Sequence, residues 1–150
     1  MPTNAYTPIL RIDCAIHPVP SLDILLQDVA TALQEEQVSI DVAYTRPLTH
    51  RTWQRILYRV LGVRLPEDEL CLSICSDREL IFATFEQADS EWVVATGLPR
   101  SGVKASLRTH HGEHWQVDTN ECIPKTMAEQ LIREFFTMKR KPTSVNWRRS

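Results

Sequence analysis

Leu70-Cys71-Leu72-Ser73-Ile74-Cys75 is followed by Ser76-Asp77-Arg78 and then by Glu79-Leu80-Ile81-Phe82-Ala83-Thr84-Phe85. Two runs of strand-forming apolar residues flank three polar ones, the pattern of two strands joined by a tight turn. So short a link can only join antiparallel neighbours, because a parallel crossover needs a dozen or more residues. The same grammar continues downstream. Trp92–Thr96, Val103–Thr109 and His114–Val117 read as strands, with turns at Gln87-Ala88-Asp89 and His111-Gly112. Upstream, Val38 to Tyr44 alternates apolar and polar residues, as a half-buried strand does. Ile9–Ile16 reads as one more strand, ended by Pro18 and Pro20.

Three segments carry helical spacing instead. Ser21 is an N-cap type residue, Asp23 suits the first turn, and Leu22, Leu25, Leu26, Val29 and Leu33 form an apolar stripe. A second helix is expected from Thr49 to Leu61, stopped by Gly62, with Trp53, Ile56, Leu57, Val60 and Leu61 as its buried face. A third starts at Pro124, where the missing N–H costs nothing, and runs to Lys141. Its apolar face is Met127, Ala128, Leu131, Ile132, Phe135 and Phe136, and Lys139, Arg140 and Lys141 suit its last turn. Pro142 stops it before a strand-like Val145-Asn146-Trp147. The expected architecture is α+β: a single domain over residues 1–150, mostly an antiparallel sheet of about five to seven strands, with two or three helices on one face.

Composition narrows the class. A length of 150 residues suits one domain with a proper core, and 43% hydrophobic against 24% charged residues argues against disorder. No apolar run approaches the roughly 20 residues needed to cross a bilayer. Met1 to Pro20 has no basic segment leading into an apolar one, so no signal peptide is expected. Cys14, Cys71, Cys75 and Cys122 include no C-x-x-C pair. On a strand, Cys71 and Cys75 would lie about 13 Å apart at roughly 3.3 Å per residue, too far for a disulfide. Reduced thiols in the cytoplasm follow as the expectation.

Net charge is only −2, yet it is segregated. Arg46 to Arg64 holds five arginines and no acid, Glu67 to Glu91 eight acids against Arg78 alone, and Lys139 to Arg149 five basic residues and no acid. Arg51, Arg55 and Arg59 stand four apart and so share one helix face. They define the alternative expectation of a nucleic-acid-binding module, against which stand the net charge and the lack of any known recognition motif.

Enzyme chemistry finds little support in the residues. Four glycines form no G-x-G-x-x-G or Walker loop, and no G-x-S-x-G elbow is present. His110-His111-Gly112-Glu113-His114, near Cys122, holds metal-ligating residue types. It is not H-E-x-x-H, and histidines flanking a hairpin tip point in different directions. No catalytic residue, metal or cofactor is therefore expected, and the chain is expected not to be an enzyme.

Several of these motifs together resemble the "immunity protein one" family of bacterial polymorphic-toxin systems. The likeness covers roughly the last eighty residues. It rests on Leu70-Cys71-Leu72-Ser73-Ile74 with Asp77-Arg78-Glu79-Leu80, on Trp92 and Gly112, on Ile123-Pro124 before the amphipathic helix, and on Pro142, Val145 and Trp147. Thr137 to Lys141 stands where that family usually has a glycine before the last proline, and the helix from Thr49 to Leu61 looks like an addition. The resemblance implies a cytoplasmic protein that binds a cognate toxin domain and blocks it, with no membrane or nucleic-acid partner. Its oligomeric state cannot be read from the sequence. The expected toxin-binding face is Asp77, Glu79, Glu86, Asp89 and Glu91, with Trp92 as an aromatic anchor and Arg51, Arg55 and Arg59 as a second candidate surface.

Overall fold

A computed structural model describes residues 6–47, 56, 59–62, 67–88, 90–109 and 111–150. The strands are β1 (Thr7–Ile12), β2 (Ala15–His17), β3 (Ser39–Pro47), β4 (Glu67–Asp77), β5 (Leu80–Gln87), β6 (Ser90–Ala95), β7 (Lys104–Arg108), β8 (His114–Asp118), β9 (Ile123–Pro124) and β10 (Asn146–Arg149). Two helices, α1 (Leu22–Ala32) and α2 (Ala128–Met138), complete an α+β domain. The main sheet runs β10-β6-β5-β4-β3-β1-β2, and β9 pairs with β5 off that path; every pairing is antiparallel. With β9 the sheet has eight strands, one more than the five to seven expected, because the two-residue β9 adds to β5 beside the main path. The β7–β8 hairpin, expected in the same sheet, forms a separate two-stranded one.

Alternation assigns the two faces of the sheet. Leu10, Val42, Leu72 and Phe85 are buried register neighbours on β1, β3, β4 and β5, with Ile40 and Ile74 two residues along the same face. The helices cover this face. Leu25 and Val29 of α1 and Leu131, Ile132 and Phe135 of α2 are almost wholly buried, and Phe135 meets Tyr44 at 5.6 Å and Phe85 at 5.9 Å between ring centres. On the opposite face, Trp115 of the β7–β8 hairpin sits edge-on to Phe82 at 5.0 Å. Asp77 accepts the Ser106 N–H at 2.7 Å, which ties the hairpin to the end of β4.

Several boundaries differ from the sequence reading, each for a local reason. Ile9–Ile16 is a hairpin, not one strand. Asp13 turns the chain with φ 51°, its N–H donates to Ser39 O at 2.7 Å, and its carboxylate takes the Ser39 N–H and the Arg108 guanidinium. The C-terminal helix starts at Ala128, because Ile123 and Pro124 pair with Ile81 and Leu80 and a 3-10 turn, Lys125–Met127, follows. It ends at Met138, where Lys139 takes the left-handed conformation (φ 50°) and donates its N–H to Phe135 O. Lys139, Arg140 and Lys141 therefore lie beyond the helix. Most of the expected helix from Thr49 to Leu61 lies outside the described residues. Within it, Ile56, Val60 and Leu61 are not a buried face: they are 58%, 77% and 64% exposed. Helical spacing shows that residues share a face, but not that anything covers it. Gly62 stops the segment as expected, with φ +66° and its N–H on Arg59 O.

Buried Asp118 anchors the loop between β6 and β7. The Ser101 N–H, opposed by burial and joined by the N–H groups of Asn120 and Gly102 and the Ser101 hydroxyl, holds its carboxyl well below the usual range. A lowered folded-state value stabilises the fold above the ordinary aspartate value of about 4, and this stabilisation is lost as pH falls through the lowered value. Asp118→Asn keeps one acceptor and removes the charge. Urea midpoints measured against pH are expected to be lower for the variant at neutral pH and flatter than wild type below about pH 4; parallel curves would contradict this role.

Candidate interaction surface

The β5–β6 hairpin places Glu86 directly opposite Glu91, both exposed, with Cys71 beside Glu86 on β4. Like charges in register across two strands raise the local negative potential. Asp89, in the turn between them, lies outside the described residues. The other expected members do not join this pair. Glu79 is exposed at the far end of β5, seven residues from Glu86, so about 23 Å away at roughly 3.3 Å per residue. Asp77 lies beside it, and its carboxylate is engaged by the Ser106 N–H.

Trp92 follows Glu91 and so points to the opposite face of the sheet. It is half-buried on Phe85 at 5.8 Å, with the Lys141 ammonium 4.5 Å and the Arg149 guanidinium 5.7 Å from its ring centre. It is a core-edge residue roofed by cations rather than an anchor among the acids. The expected face thus resolves into an acidic pair at one end of the β5–β6 hairpin and a separate cluster at the β4–β5 turn.

The basic residues divide similarly. Arg51 and Arg55 lie outside the described residues, and Arg59 is exposed. At the C-terminal end, Lys139 stands 5.5 Å over the Tyr44 ring, Arg148 pairs with Glu121 at 3.7 Å, and Arg149 donates to Ser90 Oγ at 2.6 Å. Arg148 and Arg149 thereby fasten the last strand to the domain.

His110 lies outside the described residues, while His111 and His114 are exposed. Among the described residues no three His, Cys, Asp or Glu side chains gather as a metal site would require. Burial pushes the Cys71 thiol up to about 12, and those of Cys75 and Cys122 up to about 11. Hydrogen-bonding to Ser73 and Ser39 opposes the rise at Cys71 and Cys75 without reversing it. Protonated thiols of this kind are poor nucleophiles.

One feature escaped the sequence reading. Between α1 and the start of α2 lies an open groove of about 270 Å³, floored by Leu26, Ala30 and Leu33 and rimmed by Glu79, Lys125 and Glu129. A signal for it exists: from Ser21 to Gln37 the chain carries four acids and no lysine or arginine, and Ala30 interrupts a leucine stripe.

No family model matches this chain, and no curated protein matches its sequence. Among the described residues no helix is long and apolar enough to cross a membrane.

The four cysteines should separate by reactivity. At about pH 8, a disulfide-exchange reagent is expected to titrate exposed Cys14 rapidly, and the other three only after denaturation. Rapid native labelling of Cys71 or Cys75 would contradict the burial argument.

Proposed function

We propose that this protein is an immunity protein: it binds and stoichiometrically inhibits a cognate secreted bacterial toxin enzyme, one directed at nucleic acids or nucleotides. The observation that carries this reading is the way the residues of the family resemblance pack as one unit. Trp147 of β10 donates its indole N–H to Pro142 O at 2.7 Å, and β10 pairs with β6 so that Arg149 stands opposite Trp92. Glu134 of α2 accepts the Thr143 hydroxyl at 2.6 Å, holding the turn between Pro142 and Val145 against the helix. Ile123 and Pro124 pair with β5 and set where α2 begins. Apart from Gly112, in the β7–β8 turn, the motifs spread from Leu70 to Trp147 are therefore neighbours through β4, β5, β6 and β10.

Inhibition of this kind requires a surface rather than a catalytic group. The Glu86–Glu91 pair offers an acidic feature to an enzyme built to hold phosphates, where complementary charge speeds association and fixes register. The protein acts in the cytoplasm on this reading, where an incoming nuclease or deaminase would find its substrate.

The test is rescue and complex formation with the toxic domain encoded beside this gene. Co-expression is expected to restore growth, and the mixed proteins to co-elute as a complex with one immunity chain per toxin. A wild-type chain that does not rescue growth would refute the proposal, as would absence of a complex. Glu86→Lys with Glu91→Lys, in a variant that melts cooperatively, is expected to slow association about tenfold at low salt. Unchanged kinetics would move the interface away from this hairpin.

A further inference from the structure

We infer that the groove between α1 and α2 is a docking site for an apolar segment flanked by lysine or arginine side chains. Resting on the immunity reading, we assign that segment to the toxin.

The groove follows from an apolar arc wider than the sheet can cover. Leu25, Val29 and Ala32 of α1 are buried against the core, while Leu26, Ala30 and Leu33 form the adjacent stripe at four- and three-residue spacing. Leu26 and Leu33 are half-buried and Ala30 is exposed between them, so the small side chain leaves the depression. At 270 Å³ and open to solvent, it lies just below the roughly 300–1,000 Å³ of enclosed small-molecule pockets. It suits one or two inserted apolar side chains, as when a helix lies in a groove.

Charge specifies the occupant. Asp23 precedes Leu26 by three residues on the same side of α1, and at the other end Glu35, Glu36 and Glu79 are drawn together by the backbone. The Lys125 N–H donates to Glu79 O and the Arg78 N–H to Glu36 O, both at 2.8 Å, and Lys125 Nζ donates to Glu35 O at 3.1 Å. No ion pair engages Asp23, Glu35, Glu36 or Glu79 among the described residues, whereas Glu129 is paired with Arg133 at 2.9 Å. Of these four acids only Glu79 lines the groove, and the other three flank it; with Arg78 and Lys125 set against them, the surroundings of the groove are net acidic and favour a cationic flank.

The probe is a synthetic amphipathic leucine–lysine peptide, with a leucine–glutamate peptide as its charge-reversed control, titrated into the full chain by NMR. The lysine peptide is expected to shift the amides of Leu26, Ala30, Leu33 and Thr126, and the glutamate peptide to leave them unmoved. Ala30→Arg, on an exposed position where arginine keeps helix propensity, is expected to weaken binding tenfold or more, as is Thr126→Arg across the groove. Glu36→Lys with Glu79→Lys is expected to weaken it about threefold to tenfold at low salt, and less as salt rises. Shifts confined to another surface, or wild-type affinity in both arginine variants, would overturn the site.

Cellular rescue keeps the two proposals apart. Rescue by wild type but not by Ala30→Arg supports the groove as the toxin contact. Rescue by both overturns the groove and leaves the immunity reading standing. Failure of wild type to rescue overturns the immunity reading, while the peptide titration still decides the groove.

Discussion

Phe135 holds the structure together from one position. Its ring, fully buried on α2, lies against Tyr44 of β3 and Phe85 of β5, the strands on either side of β4. Burying an aromatic of this size stabilises by about 1.5–3 kcal/mol, and favourable ring packing adds about 0.5–1.5 kcal/mol per pair. The contact also fixes direction. With Phe135 in place, Phe136 O accepts the Tyr44 hydroxyl at 2.7 Å, and the Lys139 N–H closes the helix on Phe135 O. The left-handed residue that follows turns the chain toward Pro142 and β10. Phe85 in turn touches Trp92 and Trp147, so one aromatic chain runs from the helix to the edge strand.

On the other face of the sheet, polar ties add to the Phe82–Trp115 contact and the buried Leu107. Arg108 of β7 donates to Asp13 at the β1–β2 turn and, at 3.1 Å, to Gln37 O before β3. Gln37 donates back to Ser106 O at 2.8 Å. Ser76 of β4, wholly buried, accepts the Val38 N–H at 3.1 Å. Each joins segments far apart in sequence and satisfies backbone groups that burial would otherwise leave unpaired, at a cost of roughly 1–3 kcal/mol each. Such ties define the approach of the β7–β8 hairpin, which its short apolar face alone would leave loosely specified.

This division explains what was legible in the sequence. Period-two runs and short turns revealed the antiparallel order from β3 to β6, because those signals are local. The C-terminal helix showed its buried face in the spacing of Leu131, Ile132 and Phe135. The Asp13 turn was hidden, since its left-handed backbone is supported by Ser39 and Arg108, partners 26 and 95 residues away. The separate hairpin sheet was hidden for the same reason. The candidate face was misread at Trp92, where the sequence puts an aromatic beside Glu91 but strand alternation sends the two to opposite faces. Asp77 and Glu86 carry the same charge label in sequence, yet one is tied to a backbone N–H and the other lies opposite Glu91 on an exposed hairpin.

Placement therefore matters more than totals in judging what the surface can attract. The chain has 17 basic and 19 acidic residues, a near balance that suggests no partner. Several cations are held in place by the fold: Lys139 over Tyr44, Lys141 and Arg149 over Trp92, Lys125 on Glu35 O, Arg108 on Asp13. Among the described residues Asp23, Glu35, Glu36 and Glu79 make no ion pair, and Glu86 and Glu91 face each other on a short hairpin. Rings and carbonyl oxygens carry no net charge, so of these cations only Arg108, on the Asp13 carboxylate, is neutralised; the others keep their charge at fixed places. Charge is thus unevenly placed: acids gather beside the groove and on the β5–β6 hairpin, while Lys139, Lys141 and Arg149 are fixed over Tyr44 and Trp92. Two acidic features on separate parts of one rigid domain would let a basic partner be oriented as well as attracted, since a single patch leaves rotation about the contact free.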